Sequence, residues 1–387
     1  MFHIADPRDV LEGRVTDVYF DRALKIMRAK KINKKVKAEF IAKNLPDAWP
    51  WGVFAGLEEA AYLMKQLPIK VRALKEGSVF SPYEPVMEIE GLYQDFCLYE
   101  TAILGLICQA SGIATKAARL KKLAEDRAVI SFGARRMHPV LAPMIERNAY
   151  IGGCDGVAVI KSGELIGEGP MGTMPHGLIL CFGSTIEAMK AYDEVLMPKI
   201  KRVALIDTFL DEKFECLNVA GALGKKLFAV RFDTPSSRRG DFYRILEEAR
   251  WELDMRGYGH VQFYVSGGIS EEDLEHLNPL VQGYGIGTAI SNAPVIDFAM
   301  DIMEVDGQPY AKRGKWSGSK RLLECVTCSS RKIVPNKKKV YTCSCGGRFR
   351  DLLEKIIDKN RMLTKREHAR NIRKRVIKNI RNLPLSL

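Results

Sequence analysis

Two acids, an arginine and a set of glycines stand just past four short apolar runs in this chain. Val203–Ile206 is followed by Asp207-Thr208, and Leu227–Val230 by Arg231-Phe232-Asp233-Thr234. Val261–Val265 leads into Ser266-Gly267-Gly268, and Val281–Tyr284 into Gly285-Ile286-Gly287-Thr288. Asp207 and Asp233 can hold ribose hydroxyls or a Mg²⁺–pyrophosphate while Arg231 takes an anion; a structural salt bridge would use the same three residues. Gly267, Gly268, Gly285, Gly287 and Thr288 lie in loops that open helices, where bare N–H groups converge on a phosphate. Upstream, Phe132-Gly133-Ala134-Arg135-Arg136 sets an aromatic ring beside a glycine and two arginines. That combination suits an aromatic anion, whose ring stacks while a guanidinium takes its carboxylate or phosphate. His176 follows the Gly/Pro loop that begins at Gly169, and Asp155 lies in Gly152-Gly153-Cys154-Asp155-Gly156. Both suit ligand contact, and both also fit structural roles.

Chemistry of this kind needs elements that aim it. Unbroken apolar runs separated by helix-length stretches read as buried parallel strands joined by helices. Runs ending near residues 132, 156, 171, 206, 230, 265 and 284 give seven strands. The expected fold is α/β, an incomplete seven-stranded α/β barrel whose chemistry sits past the strand C-termini. Helices are expected over Leu57–Gln66, Leu178–Tyr192 and Arg239–Arg256. Short β structure over Val79–Gly91 marks a separate first domain, and Leu98–Leu123 reads as a helix interrupted near Ser111-Gly112. The reading divides the chain into residues 1–112, a barrel over 113–292, a return to the first domain over 293–320, a cysteine ribbon over 321–350 and a basic helical tail over 351–387. In that tail Leu352, Leu353, Ile356, Ile357, Ile372, Val376, Ile377 and Ile380 recur at helical spacing.

With 387 residues and 47% hydrophobic content, the chain has ample core. Its net charge of +13 is uneven: residues 351–387 hold eleven Lys and Arg against four acids, an excess of seven. The basic character therefore belongs mainly to the tail, where packing on a partner subunit is favoured over RNA contact. No apolar run approaches membrane-spanning length and Met1–Val10 lacks a signal-peptide pattern, so no membrane partner and a cytoplasmic location are expected. Nine cysteines, mostly isolated, argue against a secreted disulfide framework. Four of them are not isolated: Cys325-x2-Cys328 and Cys343-x-Cys345 flank a Lys-rich hairpin. Two close thiolate pairs satisfy tetrahedral Zn²⁺ in a closed, structural site.

One further motif is Thr16-Asp17-x-Tyr19, which alone reads as a helix N-cap beside a packed aromatic. Together with Phe132-Gly133-x-Arg135-Arg136, Gly152-Gly153-x-Asp155, Gly172-Thr173-x-x-His176, Asp207-Thr208, Arg231-x-Asp233, Ser266-Gly267-Gly268 and Gly285-x-Gly287, it resembles the nicotinate phosphoribosyltransferases over most of residues 1–320. The cysteine-bearing C-terminus resembles archaeal members. The resemblance implies an N-terminal α/β sandwich domain, a seven-stranded barrel, and a homodimer or higher oligomer with a shared active site. It also implies transfer of phosphoribosyl from phosphoribosyl pyrophosphate to nicotinate, with Mg²⁺, in NAD salvage. Under it, Phe132 and a second subunit's copy of Tyr19 sandwich the pyridine ring and Arg231 holds the ring substituent. Asp233 and Asp207 face the ribose and the Mg²⁺–pyrophosphate, Arg135 adds charge near the phosphates, and Gly267, Gly268, Gly285 and Gly287 bind the 5′-phosphate. His176 matches the histidine that is phosphorylated when ATP is a co-substrate. Displacing pyrophosphate from an anomeric carbon needs a positioned ring, nearby carboxylates and cations on the leaving group, and no protein nucleophile.

Pro175 departs from the family's Gly-Thr-x-Ala-His loop, and Asp155 matches a position that binds an amide in the related nicotinamide enzyme. Nicotinamide and quinolinate are therefore alternative substrates. A reading of another class, nucleic-acid binding, rests on the ribbon and the basic tail.

Overall fold

The computed structural model describes residues 2–340 and 342–386. The chain forms two compact units, Met1–Thr115 with Pro294–Leu387, and Lys116–Ala293.

The second unit carries the barrel. Its parallel strands run, in spatial order, Gly156–Val157, Ala128–Ser131, Gly283–Ile286, Gln262–Ser266, Leu227–Phe232 and Arg202–Leu205. The two end strands have one sheet partner each, so the barrel is incomplete as expected. It has six strands rather than seven. The run ending near Met171 forms no strand; the Met171 N–H donates to the Val157 carbonyl at 2.7 Å and the segment goes no further. Gly, Pro and Glu fill that stretch, and none of them favours a buried strand. Phe232, Phe263, Val265 and Tyr284 are fully buried between the sheet and its helices: the Phe232 ring meets Phe263 and Phe242 of the helix Phe242–Met255, and the Tyr284 hydroxyl donates to Asn278 at the end of the helix Glu271–Leu277. Around the sheet, the helix expected over Leu178–Tyr192 is two helices, His176–Phe182 and Thr185–Val195, divided at Gly183 in a left-handed conformation.

In the first unit a seven-stranded antiparallel sheet takes strands from three stretches of chain. Its order is Gln308–Pro309, Phe298–Val305, Lys35–Ala42, Met87–Leu92, Lys70–Ala73, Glu354–Asp358 and Arg361–Met362. Residues expected in the helical tail thus form a strand: Glu354–Asp358 pairs with Lys70–Ala73, and a bulge between Lys355 and Ile357 lets Ile356 and Ile357 both turn inward. Among the described residues of the tail, only Ala369–Ile380 is helical. Its Ile372, Val376 and Ile380 are buried within this chain, not left for a partner subunit; Arg375 donates to the Glu76 carbonyl and Trp51 Nε1 to the Pro384 carbonyl at 2.6 Å.

The helix Glu100–Ala124 runs without interruption. Gly112 is there because a Cβ would fall 2.2 Å from the Pro294 carbonyl oxygen, and Ser111 and Thr115 hydroxyls accept from the Ala55 and Val53 N–H groups. Tyr93–Ala124 is also long and apolar enough to cross a membrane by composition, contrary to the sequence reading, with mean hydropathy 1.4. Ile103 and Ile107 are nevertheless fully buried in the unit's hydrophobic core, with Leu104 and Leu106 packed against it. It is a core helix.

Candidate active site

Five predicted residues meet at the strand C-termini of the barrel unit. The strand Leu227–Phe232 delivers Arg231 and, one residue beyond its end, Asp233; the neighbouring strand Arg202–Leu205 is followed by Asp207. Arg231 Nη2 lies 3.8 Å from Asp233 Oδ2, and its guanidinium carbon 6.0 Å from the Phe132 ring centroid. His176, the first residue of its helix, reaches in from the side. Its Nδ1 is 3.0 Å from the Thr208 hydroxyl, leaving Nε2 3.5 Å from Asp233 Oδ2 and 3.9 Å from Asp207 Oδ2. Arg231 Nη1 donates to Thr173 Oγ1 at 2.6 Å, and the Ser266 hydroxyl donates to Asp233 Oδ1 at 2.6 Å. Thr173, Thr208 and Ser266 thus orient the charged groups. Sequence reading quoted them within motifs without giving them that work.

The cluster is charged and poorly solvated. Burial pushes the Asp207 carboxyl above the usual carboxylate range; His176 opposes that shift and the Asp233 charge adds to it. Burial likewise pulls the Arg231 guanidinium down, against Asp233 and Asp207. Two of the buried atoms, Asp207 Oδ1 and Arg231 Nε, have no hydrogen-bond partner among the described residues. Unsatisfied polar atoms at this depth mark a place where a ligand supplies the partner. Two carboxylates, one hard to ionise alone, also fit a divalent cation through oxygen ligands.

Other predicted residues are placed differently. Gly267 and Gly268 form an exposed loop with φ of +85° and +74°, a conformation that strongly favours glycine. Gly287 and Thr288 follow the last strand and open the short helix Thr288–Ser291. Gly285 is not a loop residue: it lies within the strand Gly283–Ile286, and a Cβ there would fall 2.4 Å from the Phe132 ring. The absence of a side chain there leaves room for the Phe132 ring. Asp155 does not join the cluster. It precedes the strand Gly156–Val157, at the opposite end of the sheet, where its carboxylate takes Lys121 Nζ and the Val129 N–H, each at 2.9 Å. Arg135 is exposed in the turn Ala134–Arg136, close enough to oppose the Arg231 charge. Tyr19 belongs to the first unit, 59% exposed on the helix Val18–Ala29. A cavity of about 1320 Å³, lined by Leu57, Leu74, Ile356 and Ile372 among others, also belongs to the first unit and holds none of these groups.

Residues 17–111 match the family described as quinolinate phosphoribosyl transferase, N-terminal domain, and residues 113–301 its C-terminal domain. A nicotinate phosphoribosyltransferase of Mycobacterium tuberculosis is 29% identical, covering 79% of this chain and 76% of that protein. One of Bacillus subtilis is 26% identical, covering 80% of this chain and 68% of that protein. A crystal structure of nicotinate-nucleotide pyrophosphorylase from Pyrococcus furiosus is 49% identical, with a TM-score of 0.97 over 99% of both chains. This chain belongs to the nicotinate phosphoribosyltransferase family. Human nicotinic acid phosphoribosyltransferase, 19% identical over 94% of this chain and 93% of its own, shares the family fold with a TM-score of 0.74.

This chain also carries a cluster of four cysteines whose sulfurs converge closely enough to hold a metal ion. Cys325, Cys328, Cys343 and Cys345 bring their sulfurs within 4.8 Å of one another, at 3.5 Å for Cys325–Cys345 and 3.7 Å for Cys328–Cys343. A tetrahedral thiolate shell requires about 3.8 Å between sulfurs, so the set suits one metal ion. These are free thiols, too far apart for disulfides. The Ser330 hydroxyl first, then the Cys345 backbone, the Ser344 hydroxyl and the Cys328 thiol, hold Cys343 down at about 5. A side chain on Gly347 would meet Cys325 Sγ at 2.6 Å, which accounts for the second glycine of Cys-x-Cys-Gly-Gly.

Proposed function

We propose that this protein transfers the phosphoribosyl group of phosphoribosyl pyrophosphate to nicotinate, yielding nicotinate mononucleotide and pyrophosphate for NAD salvage. The observation that carries the reading is Arg231, a largely buried guanidinium beside the Phe132 ring. Its Nε is unpartnered and its Nη1 is held by Thr173. That pair matches a flat ring bearing a carboxylate. The pyridine nitrogen attacks the anomeric carbon while the bond to pyrophosphate breaks, and the electron pair leaves with pyrophosphate. Arg231 and Phe132 orient the ring for that displacement, and Asp207 and Asp233 face the ribose as positive charge develops on it. Mg²⁺, when bound, neutralises the leaving pyrophosphate, and the two carboxylates are its fitting protein ligands. Gly267, Gly268, Gly287 and Thr288 offer backbone N–H groups to the 5′-phosphate.

Nicotinate is favoured over nicotinamide because Asp155, the residue suited to an amide, is engaged by Lys121 away from the cluster. Quinolinate is the second reading, favoured by the match of residues 17–111 and 113–301 to the quinolinate family. We further assign Tyr19, exposed beside Val18 on its helix, to the ring site of a second copy in a homodimer, and Zn²⁺ to the four cysteines as a structural metal. Free cysteines throughout suit a cytoplasmic enzyme. The experiment is pyrophosphate release from phosphoribosyl pyrophosphate and Mg²⁺ with nicotinate, nicotinamide or quinolinate, with and without ATP. Release with nicotinate is expected. Release only with quinolinate or nicotinamide moves the substrate, stimulation by ATP gives His176 a phosphoryl role, and no release with any acceptor overturns the reading.

A further inference from the structure

The glycine loop past the strand Gln262–Ser266 is fastened by one side chain that none of the sequence motifs contains. Arg239 ends the one-turn helix Ser236–Arg239. From there its Nε donates to the Thr234 carbonyl at 2.7 Å, and its Nη2 to the Ser266 carbonyl at 2.9 Å and to the Gly267 carbonyl. The guanidinium carbon lies 4.8 Å from the Phe242 ring centroid, so the fork is stacked as well as bonded. Three carbonyls from the exit loops of two neighbouring strands therefore converge on one cation.

That convergence has a directional consequence. In a trans peptide the C=O and the following N–H point opposite ways. Drawing the Ser266 and Gly267 carbonyls toward Arg239 turns the N–H groups of Gly267 and Gly268 away from it. Positive φ at both glycines, which glycine adopts freely, sets a turn whose successive N–H groups can face one anion. The cation also satisfies carbonyls that would otherwise repel a phosphate.

We propose that Arg239 is a positioning residue: by holding the Ser266 and Gly267 carbonyls it sets the N–H face that receives the 5′-phosphate of phosphoribosyl pyrophosphate. The inference rests on the phosphoribosyltransferase reading above. The test uses full-length wild type, Arg239→Ala and Arg239→Lys. Three quantities are read: KM for phosphoribosyl pyrophosphate against kcat, calorimetric binding of inorganic phosphate, and recovery of Arg239→Ala by added guanidinium. Loss of charge-assisted hydrogen bonds predicts a roughly tenfold to hundredfold rise in KM and in the phosphate Kd for Arg239→Ala. The kcat changes much less, Arg239→Lys falls between because an ammonium cannot span three acceptors, and guanidinium restores binding. Unchanged phosphate binding in a folded Arg239→Ala protein would overturn the inference. So would a loss that guanidinium does not relieve and that tracks the melting temperature. If wild type releases no pyrophosphate with any acceptor, the transferase reading falls, and the phosphate Kd of the three proteins still decides the role of Arg239.

Discussion

Substituting Gly285 by alanine tests the aromatic half of the site through a single methyl group. The added carbon would lie 2.4 Å from Phe132 Cδ2 and Cε2 and 3.2 Å from Ser266 Cβ. Ordinary carbon contacts are about 3.5 Å, so the ring must retreat by roughly 1 Å. Overpacking of this kind costs about 1–3 kcal/mol of stability, read as a shift in the denaturation midpoint. The functional cost is larger. A stacking partner displaced by about 1 Å misaligns the pyridine, and misplacement on that scale costs on the order of a hundredfold in kcat/KM. Initial rates of pyrophosphate release at varied nicotinate should show the loss in nicotinate kinetics, while KM for phosphoribosyl pyrophosphate stays near wild type. A double-mutant cycle isolates the contact: once Phe132→Ala has removed the ring, adding Gly285→Ala should cost little further stability. A folded Gly285→Ala enzyme with wild-type stability and wild-type KM for nicotinate would refute the geometry.

Asp207→Asn should trade function for stability. The Asp207 carboxyl sits above the usual range, so the folded state holds its proton more tightly than the unfolded chain does. Stability is therefore lost as pH rises from the ordinary carboxylate range through the raised value. The asparagine variant should be more stable than wild type at neutral pH without Mg²⁺, lose that advantage in acid, and lose on the order of a hundredfold or more in kcat. Thermal melts across pH, paired with rates, check both halves; a melting point well below wild type at neutral pH would contradict the sign. Thr173→Val should raise KM for nicotinate about tenfold by freeing Arg231 Nη1, and Thr173→Ser should not, in steady-state assays. Cys325→Ser, or a strong chelator, should remove bound zinc and destabilise the ribbon by several kcal/mol, measured by metal analysis and melting. Metal-free protein with full stability would exclude a structural ion.

Much of the site was legible because buried parallel strands leave unbroken apolar runs, and Asp207, Arg231, Asp233 and Gly267 fall just past them. What depends on neighbours across strands was not. Gly285 looked like a loop glycine, yet the strand extends to Ile286 and the reason for the glycine is a ring on an adjacent chain segment. Asp155 looked like a ligand contact because nothing linear points to Lys121, thirty-four residues away, as its partner. Arg239 acts on backbone carbonyls, which leave no side-chain signature. Ile356 and Ile357 mimicked a helical stripe because a bulge turns two consecutive residues to one face. The Ser111-Gly112 pair looked like a helix break, whereas both residues serve close packing against other segments of their unit.

The antiparallel sheet of the first unit has an implication for how the protein is made. Its strand Lys70–Ala73 pairs with Glu354–Asp358, and the barrel unit is synthesised between them. At a ribosomal pace of about 5–20 residues per second, the nascent sheet waits on the order of tens of seconds for that partner. Through that interval the edge of Lys70–Ala73 is open, and strand edges left open invite pairing with other chains. Lys70 and Arg72 on that strand, with Lys35 and Lys37 on the strand that waits for Phe298–Val305, place like charges where a second nascent chain would dock. Charges at such an edge disfavour that pairing, and two of these four, Lys37 and Arg72, are part-buried and ion-paired with Glu304 and Glu88 in the finished sheet.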